Sequence, residues 1–130
     1  MSTGAEVHLT QIGQIAIIVR DLKRMVTFYR DTLGMKFLFE APPAMAFFDC
    51  GGVCLLLGQE DKANPAHPAS ILYYKVTDIQ AAFDTLVGRG VTVAEKPALV
   101  AKMPDHDLWL ALLRDPEGNA FALMSEVPRG

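Results

Sequence analysis

The chain has little of what several protein classes require. Among its 130 residues are two cysteines, one tryptophan and three histidines. Cys50 and Cys54 stand i, i+4 around Gly51-Gly52, which is not a zinc-ribbon spacing, and no second pair follows. Two reduced, partly buried thiols in a cytoplasmic protein are therefore expected. No run of lysine or arginine occurs, and the net charge is −3 with a pI near 5.5. That balance argues against nucleic acid and anionic membrane surfaces as partners. The longest apolar runs, residues 15–19 and 53–57, are strand-sized and far below the roughly 20 residues that cross a bilayer as a helix. The opening "MSTGAEVHLTQIG" has no basic region leading into an apolar stretch, so no signal peptide is expected. A glycine-rich phosphate loop and a Ser-His-Asp order are also missing.

What the chain does have is hydrophobic residues, 51% of the total, and a repeat. A single domain over residues 1–130 can bury a substantial core. "QIAIIVRDL" at 14–22 and "ILYYKVTDI" at 71–79 match at one constant offset: an apolar strand, a valine (Val19, Val76), then Asp21-Leu22 or Asp78-Ile79. Each aspartate is placed to cap a helix, because its carboxylate accepts N–H groups that the first turn leaves unpaired. Leu22, Met25, Val26 and Tyr29 form one apolar stripe, and Ile79, Ala82, Phe83 and Leu86 the other. Glycines at 34 and at 88 and 90 supply the left-handed stop. Three strand-like runs follow each helix: 35–40, 45–50 and 53–57, then 91–95, 108–114 and 120–124. Turn residues separate them. The chain thus reads βαβββ twice, with a first module at 12–58, a polar, proline-rich linker at 59–69 and a second module at 70–126. The stretch 96–105 is expected to be a longer connection than its counterpart.

The motifs "IIVRDLKRMVTFYRDTLGMKF", "VTDIQAAFDTLVGRGVTV" and "LRDPEGNAFALMSE" resemble those of the vicinal oxygen chelate superfamily, the glyoxalase/bleomycin resistance/dioxygenase group. The resemblance covers about residues 12–126. It implies an α+β fold in which two tandem βαβββ modules form a cupped mixed sheet. Helices would lie outside, and the hollow would bind a small molecule. It also implies a homodimer, since the sheets have free edges. Metal-using members draw ligands from four corners, one on the first and one on the last strand of each module, usually His, Gln or Glu. Carried over to this chain, those corners fall on Gln14, Leu56, Ile71 and Ala122. Only Gln14 can ligate, so no metal site and no cofactor are expected, with a displaced divalent ion as the alternative. A one-residue slip would offer Phe121, Leu123, Ser70 or Leu72, which still make no cage.

Strand alternation places Gln14, Ala16 and Ile18 on one face, joined by Cys54 and Leu56, by Ile71, Tyr73 and Lys75, and by Ala120, Ala122 and Met124. Such a lining describes a generic ligand pocket and equally an ordinary core face. The expected ligand-binding residues are Gln14, Cys54, Leu56, Ile71, Tyr73, Trp109, Ala122 and Met124. Trp109 either packs under the sheet or stacks on an aromatic ligand. Lys75 either snorkels to the strand end or binds an anion. His106, in "MPDHDLW", is expected in a turn, where it is a surface residue or an acid–base group at the pocket mouth. If the protein is an enzyme, Tyr73, Lys75 and His106 are the candidates for its chemistry. Three readings follow. The first is a metal-free binding protein for a small apolar or aromatic compound. The second is a glyoxalase-like lyase, isomerase or dioxygenase, with metal-free acid–base residues or a displaced metal held by residues such as Gln14, His106 and Glu126. The third is a non-catalytic structural or regulatory domain.

Overall fold

Each half of the chain folds into one four-stranded mixed sheet with its helix laid across one face. The computed structural model describes residues 7–129; residues 1–6, part of the stretch read for a leader, and residue 130 lie outside the described residues. The first half contains β1 (Gln14–Val19), α1 (Leu22–Thr27), β2 (Lys36–Ala41), β3 (Met45–Cys50) and β4 (Val53–Gln59), and α1 continues as a π-helical turn over Phe28–Thr32. The second half contains β5 (Tyr73–Lys75), α2 (Ile79–Gly88), β6 (Thr92–Lys102), β7 (His106–Arg114) and β8 (Ala120–Pro128). The strand orders are β1-β4-β3-β2 and β5-β8-β7-β6, so the halves share one topology. In both, the first strand pairs in parallel with the last and the other pairs are antiparallel.

The two caps act alike. Asp21 accepts from the Arg24 N–H at 3.1 Å and Asp78 from the Ala81 N–H at 3.0 Å. Each backbone is extended at the cap (φ −133° and −120°), so the helix starts at the next residue. Both helical segments give way to glycine with positive φ, Gly34 at 72° and Gly90 at 88°, a conformation that a Cβ disfavours. The helix stripes bury Met25, Val26, Phe28 and Tyr29 in the first half and Ile79, Phe83 and Leu86 in the second. They pack on alternate strand residues, including Ile17, Val19, Phe48, Leu55, Leu57, Ala111, Leu113, Phe121 and Leu123.

The halves meet on this helix-covered side. Phe28 packs edge-on against Phe121 at 6.1 Å between ring centres. The Glu117 carboxylate, from the β7–β8 turn, accepts the Arg20 and Asp21 N–H groups at 2.9 Å. The Arg89 guanidinium donates to the Thr32 carbonyl at 2.7 Å.

Several segments differ from the sequence expectations; among them, β5, expected to begin at Ile71, is confined to Tyr73–Lys75, and β4 runs on to Gln59. Residues 96–102, expected as connection, continue strand β6, because β7 runs long enough to pair with it. The pairing is interrupted by bulges, and Pro97 sits in the irregularity between Glu95 and Ala98, where its missing N–H costs no ladder bond. His106, expected in a turn, opens β7: its carbonyl accepts from the Met103 N–H at 2.8 Å, which tightens the turn to 103–106. β8 extends past the expected residue 124 to Pro128, paired with the longer β7.

Candidate ligand-binding site

The face of each sheet turned away from the helices is open. On the first sheet, cross-strand pairing builds two rows. Gln14, Cys54, Asp49 and Lys36 form one, and Ala16, Leu56, Phe47 and Phe39 the other. Phe39 and Phe47 stack with ring centres 4.7 Å apart, and Phe39 stays 52% exposed. On the second sheet Tyr73, Ala122 and Leu112 form one row, Lys75, Met124 and Leu110 the next, and Glu126 and Leu108 a third. Ile71 precedes β5 and is 45% exposed; Tyr73 is 49% exposed. Exposed aromatic and aliphatic side chains of this size, side by side on a sheet, are unusual on a surface meant only for water.

The expected residues thus divide into two groups. Gln14, Cys54 and Leu56 share the first open face, and Tyr73, Lys75, Ala122 and Met124 share the second. Among the described residues no strand pairing joins the two sheets. Trp109 belongs to neither group. It pairs in register with the buried Ser125 and has the parity of the buried Ala111 and Leu113, so it lies on the helix side of β7. There it packs against the core and lines a cleft of about 420 Å³ beside the start of α2, with Thr77, Ile79 and Pro97. The thickness of the sheet separates it from Tyr73. Both cysteines are free and half-buried, and burial pushes the Cys50 thiol pKa up.

The polar end of the second face is more organised than the sequence suggested. The Lys75 ammonium lies 3.1 Å from Glu126 Oε1, and His106 Nε2 lies 3.3 Å from Glu126 Oε2. Asp105 Oδ1 sits 2.7 Å from His106 Nδ1, and that hydrogen bond holds the Asp105 carboxyl below the usual range. Lys75 and His106 are thereby joined through Glu126, which the sequence offered with His106 and Gln14 as a ligand of a displaced metal; Gln14 lies on the other sheet. Alternation could have placed Glu126 on this face, because it shares the parity of Ala122 and Met124. Lys75 is largely exposed, so its pair with Glu126 adds little to stability. The arrangement fixes an imidazole between two carboxylates at the rim of an apolar surface. It can accept or donate hydrogen bonds to the polar end of a ligand lying on Tyr73.

The four corners implied for a metal can now be compared with the fold. Leu56 lies beside Ala16, and Ala122 is fully buried between Tyr73 and Leu112. Gln14 is the one corner residue with an oxygen donor. Several oxygen or nitrogen ligands at roughly 2.0–2.2 Å are needed to offset desolvation of a divalent ion, and this set does not supply them. Among the described residues, no three His, Cys, Asp or Glu side chains converge on a common point that could hold a metal. None of the described helices is long and apolar enough to cross a membrane.

Residues 11–123 match the sequence profile of the Glyoxalase/Bleomycin resistance protein/Dioxygenase superfamily. The uncharacterized protein YraH of Bacillus subtilis (strain 168) is 30% identical over 126 residues, which span 85% of this chain and 94% of that protein. Among solved structures, a superfamily member from Sphaerobacter thermophilus superposes with a TM-score of 0.73 at 25% identity, covering 91% of this chain and 98% of its own. The integron cassette protein VCH_CASS1 of Vibrio cholerae gives 0.76 at 20% identity, covering 93% and 98%. A lactoylglutathione lyase from Agrobacterium tumefaciens gives 0.68 at 23% identity, covering 89% and 93%.

Proposed function

Because this chain belongs to the glyoxalase/bleomycin resistance protein/dioxygenase superfamily, we propose that it binds a small, mostly apolar or aromatic molecule on its open sheet faces, without a metal. The observation that carries this reading is the second open face itself. Tyr73 stands half exposed in the row of Ala122 and Leu112, next to the row of Met124 and Leu110, with the half-exposed Ile71 two residues before it and the Lys75–Glu126–His106 group at one end. A flat apolar ligand can lie against Tyr73 while a polar substituent reaches that group. Two copies pair as a homodimer and enclose the ligand, which removes Phe39, Ile71 and Tyr73 from water. The free edges of both sheets, β1 and β2, β5 and β6, leave hydrogen-bonding groups for such a partner. The two free thiols suit a cytoplasmic setting.

Native mass spectrometry of freshly purified protein tests this reading. The expected spectrum shows a dimer carrying a co-purifying small molecule, and Tyr73→Ala loses that molecule while remaining folded. Retention of the molecule in Tyr73→Ala moves the site elsewhere.

A second reading is supported by the Asp105–His106–Glu126 arrangement, in which each imidazole nitrogen faces a carboxylate. Such a group is suited to moving a proton to or from a bound compound, as a lyase or isomerase requires. Under this reading His106→Ala abolishes turnover of the identified ligand but leaves its binding within a few fold. Under the first reading no turnover is seen in either protein.

A further inference from the structure

A second cleft lies on the other side of the molecule, at the junction of the two modules. It has a volume of about 450 Å³ and is lined from the first module by Arg24, Phe28 and Thr32, and from the second by Arg89 to Thr92, Arg114 to Pro116, and Gly118. Three arginines therefore line one space, in a chain whose net charge is −3. Among the described residues none of the three has a carboxylate within ion-pair distance.

The nearby acids are committed elsewhere. Asp115 lines the cleft but is 7% exposed, and its Oδ1 accepts the Glu117 and Asn119 N–H groups at 2.9 Å. Glu117 is turned to the Arg20 and Asp21 N–H groups. Asp31 is paired with Arg30, and Asp21 caps α1. Three arginines beside a single lining carboxylate leave the cleft with an excess of positive charge, which a bound anion offsets.

The arginines are also oriented. The Arg89 guanidinium donates to the Thr32 carbonyl at 2.7 Å, and Arg114 donates to the Gly118 carbonyl at 3.0 Å. Each of these bonds uses one N–H of five and steadies the group, leaving donors for a ligand. Among the described residues the Arg24 side chain makes no hydrogen bond or ion pair, so its donors are available to a ligand. Thr32 and Thr92 line the same space. Planar guanidinium forks match the oxygens of phosphate, and the volume exceeds what one inorganic ion needs.

We propose that this inter-module cleft is a second binding site, for a small molecule carrying a dianionic oxyanion of the phosphate monoester or diphosphate class. Its ligand bridges Arg24 of the first module and Arg89 and Arg114 of the second. Binding therefore tightens the junction between the modules as well as occupying the cleft.

Inorganic pyrophosphate is the probe, titrated calorimetrically at low, fixed ionic strength, with thermal unfolding followed in parallel. The expected result is saturable binding and a rise in Tm that sodium chloride at equal ionic strength does not reproduce. Loss of one charge-assisted contact weakens binding by about tenfold, so Arg24→Gln and Arg114→Gln each show that decrease, and Arg24→Lys recovers part of it. Arg24→Gln breaks no hydrogen bond or ion pair among the described residues, and its unfolding curve without pyrophosphate, expected to match that of the wild type, separates lost binding from lost folding. Arg30→Gln, outside the cleft, binds as the wild type does. The proposal is overturned if pyrophosphate does not bind, if chloride gives the same stabilisation, or if Arg24→Gln and Arg114→Gln bind unchanged.

Discussion

Tyr74→Phe should make the protein more stable. Tyr74 sits on the helix side of β5, its ring 6.1 Å from Phe121, and its hydroxyl oxygen is buried with no hydrogen-bond partner among the described residues. The neighbouring Tyr29 hydroxyl makes a hydrogen-bonding approach that pulls the Tyr74 pKa down against the rise from burial, but its geometry is too poor to satisfy the buried oxygen. An unsatisfied buried hydroxyl costs about 1–3 kcal/mol relative to water, and phenylalanine removes it while keeping the ring. Part of that gain is lost to the small void left by the oxygen. The net expectation is a stabilisation of about 1 kcal/mol, or a Tm rise of about 3–5 °C for a chain of this length. Alkaline pH provides an independent readout. Burial, with a smaller contribution from Cys50, pushes the Tyr74 phenol up to about 12 from 10.0. The folded chain then holds a proton that the unfolded chain releases, so stability is intact below pH 10 and falls as pH rises from 10 towards 12. A shift of that size corresponds to up to ~2.7 kcal/mol across the interval. Urea unfolding followed by far-UV circular dichroism at pH 7, 10 and 11 measures both effects. The variant should unfold at higher urea at pH 7 and lose less stability on going to pH 11. Tyr73→Phe, on the open face, is the control and should match the wild type in both. A Tyr74→Phe protein that is less stable than wild type by more than about 0.5 kcal/mol at pH 7 would refute the reasoning, since the hydroxyl would then have a partner.

Three other outcomes are expected. Glu117→Ala removes the carboxylate that receives the Arg20 and Asp21 N–H groups across the module junction, and should cost about 1–2 kcal/mol in urea unfolding. Phe48→Ala empties a fully buried site packed against Tyr29 and Phe37; a loss of about 3–5 kcal/mol is expected from the same measurement. Tyr73→Ala, half exposed, should change the unfolding free energy by less than about 1 kcal/mol while removing the co-purifying small molecule that the proposed function expects in the native mass spectrum.

The repeat, the helix starts and the placement of the strands were legible because they depend on local chemistry. Asp21 and Asp78 announce helices, and the glycines after them announce where the helical path ends. The length of β6 was not legible, because residues 96–102 contain a proline and bulges that only the partner strand β7 explains. Trp109 is an instructive case. Its parity along β7 places it under α2, but that parity has meaning only once Leu110 and Leu112 are known to pair with Met124 and Ala122. The link from Lys75 through Glu126 to His106 joins strands separated by a helix and two further strands, so no spacing rule reveals it. The arginine cleft is more remote still: residues 24, 89 and 114 meet only because the modules pack through their helix-covered sides. Chemistry held within one element reads directly from the chain, whereas chemistry assembled across elements needs the register.

The proposed ligand surface is hydrocarbon and tyrosine in place of a coordinated ion. Elemental analysis by inductively coupled plasma mass spectrometry, on protein purified without chelators, tests it most directly. Iron, manganese, nickel and zinc are all expected well below one equivalent per chain, in wild type and Gln14→Ala alike. One equivalent of any of them in the wild type, lost in Gln14→Ala, would contradict it.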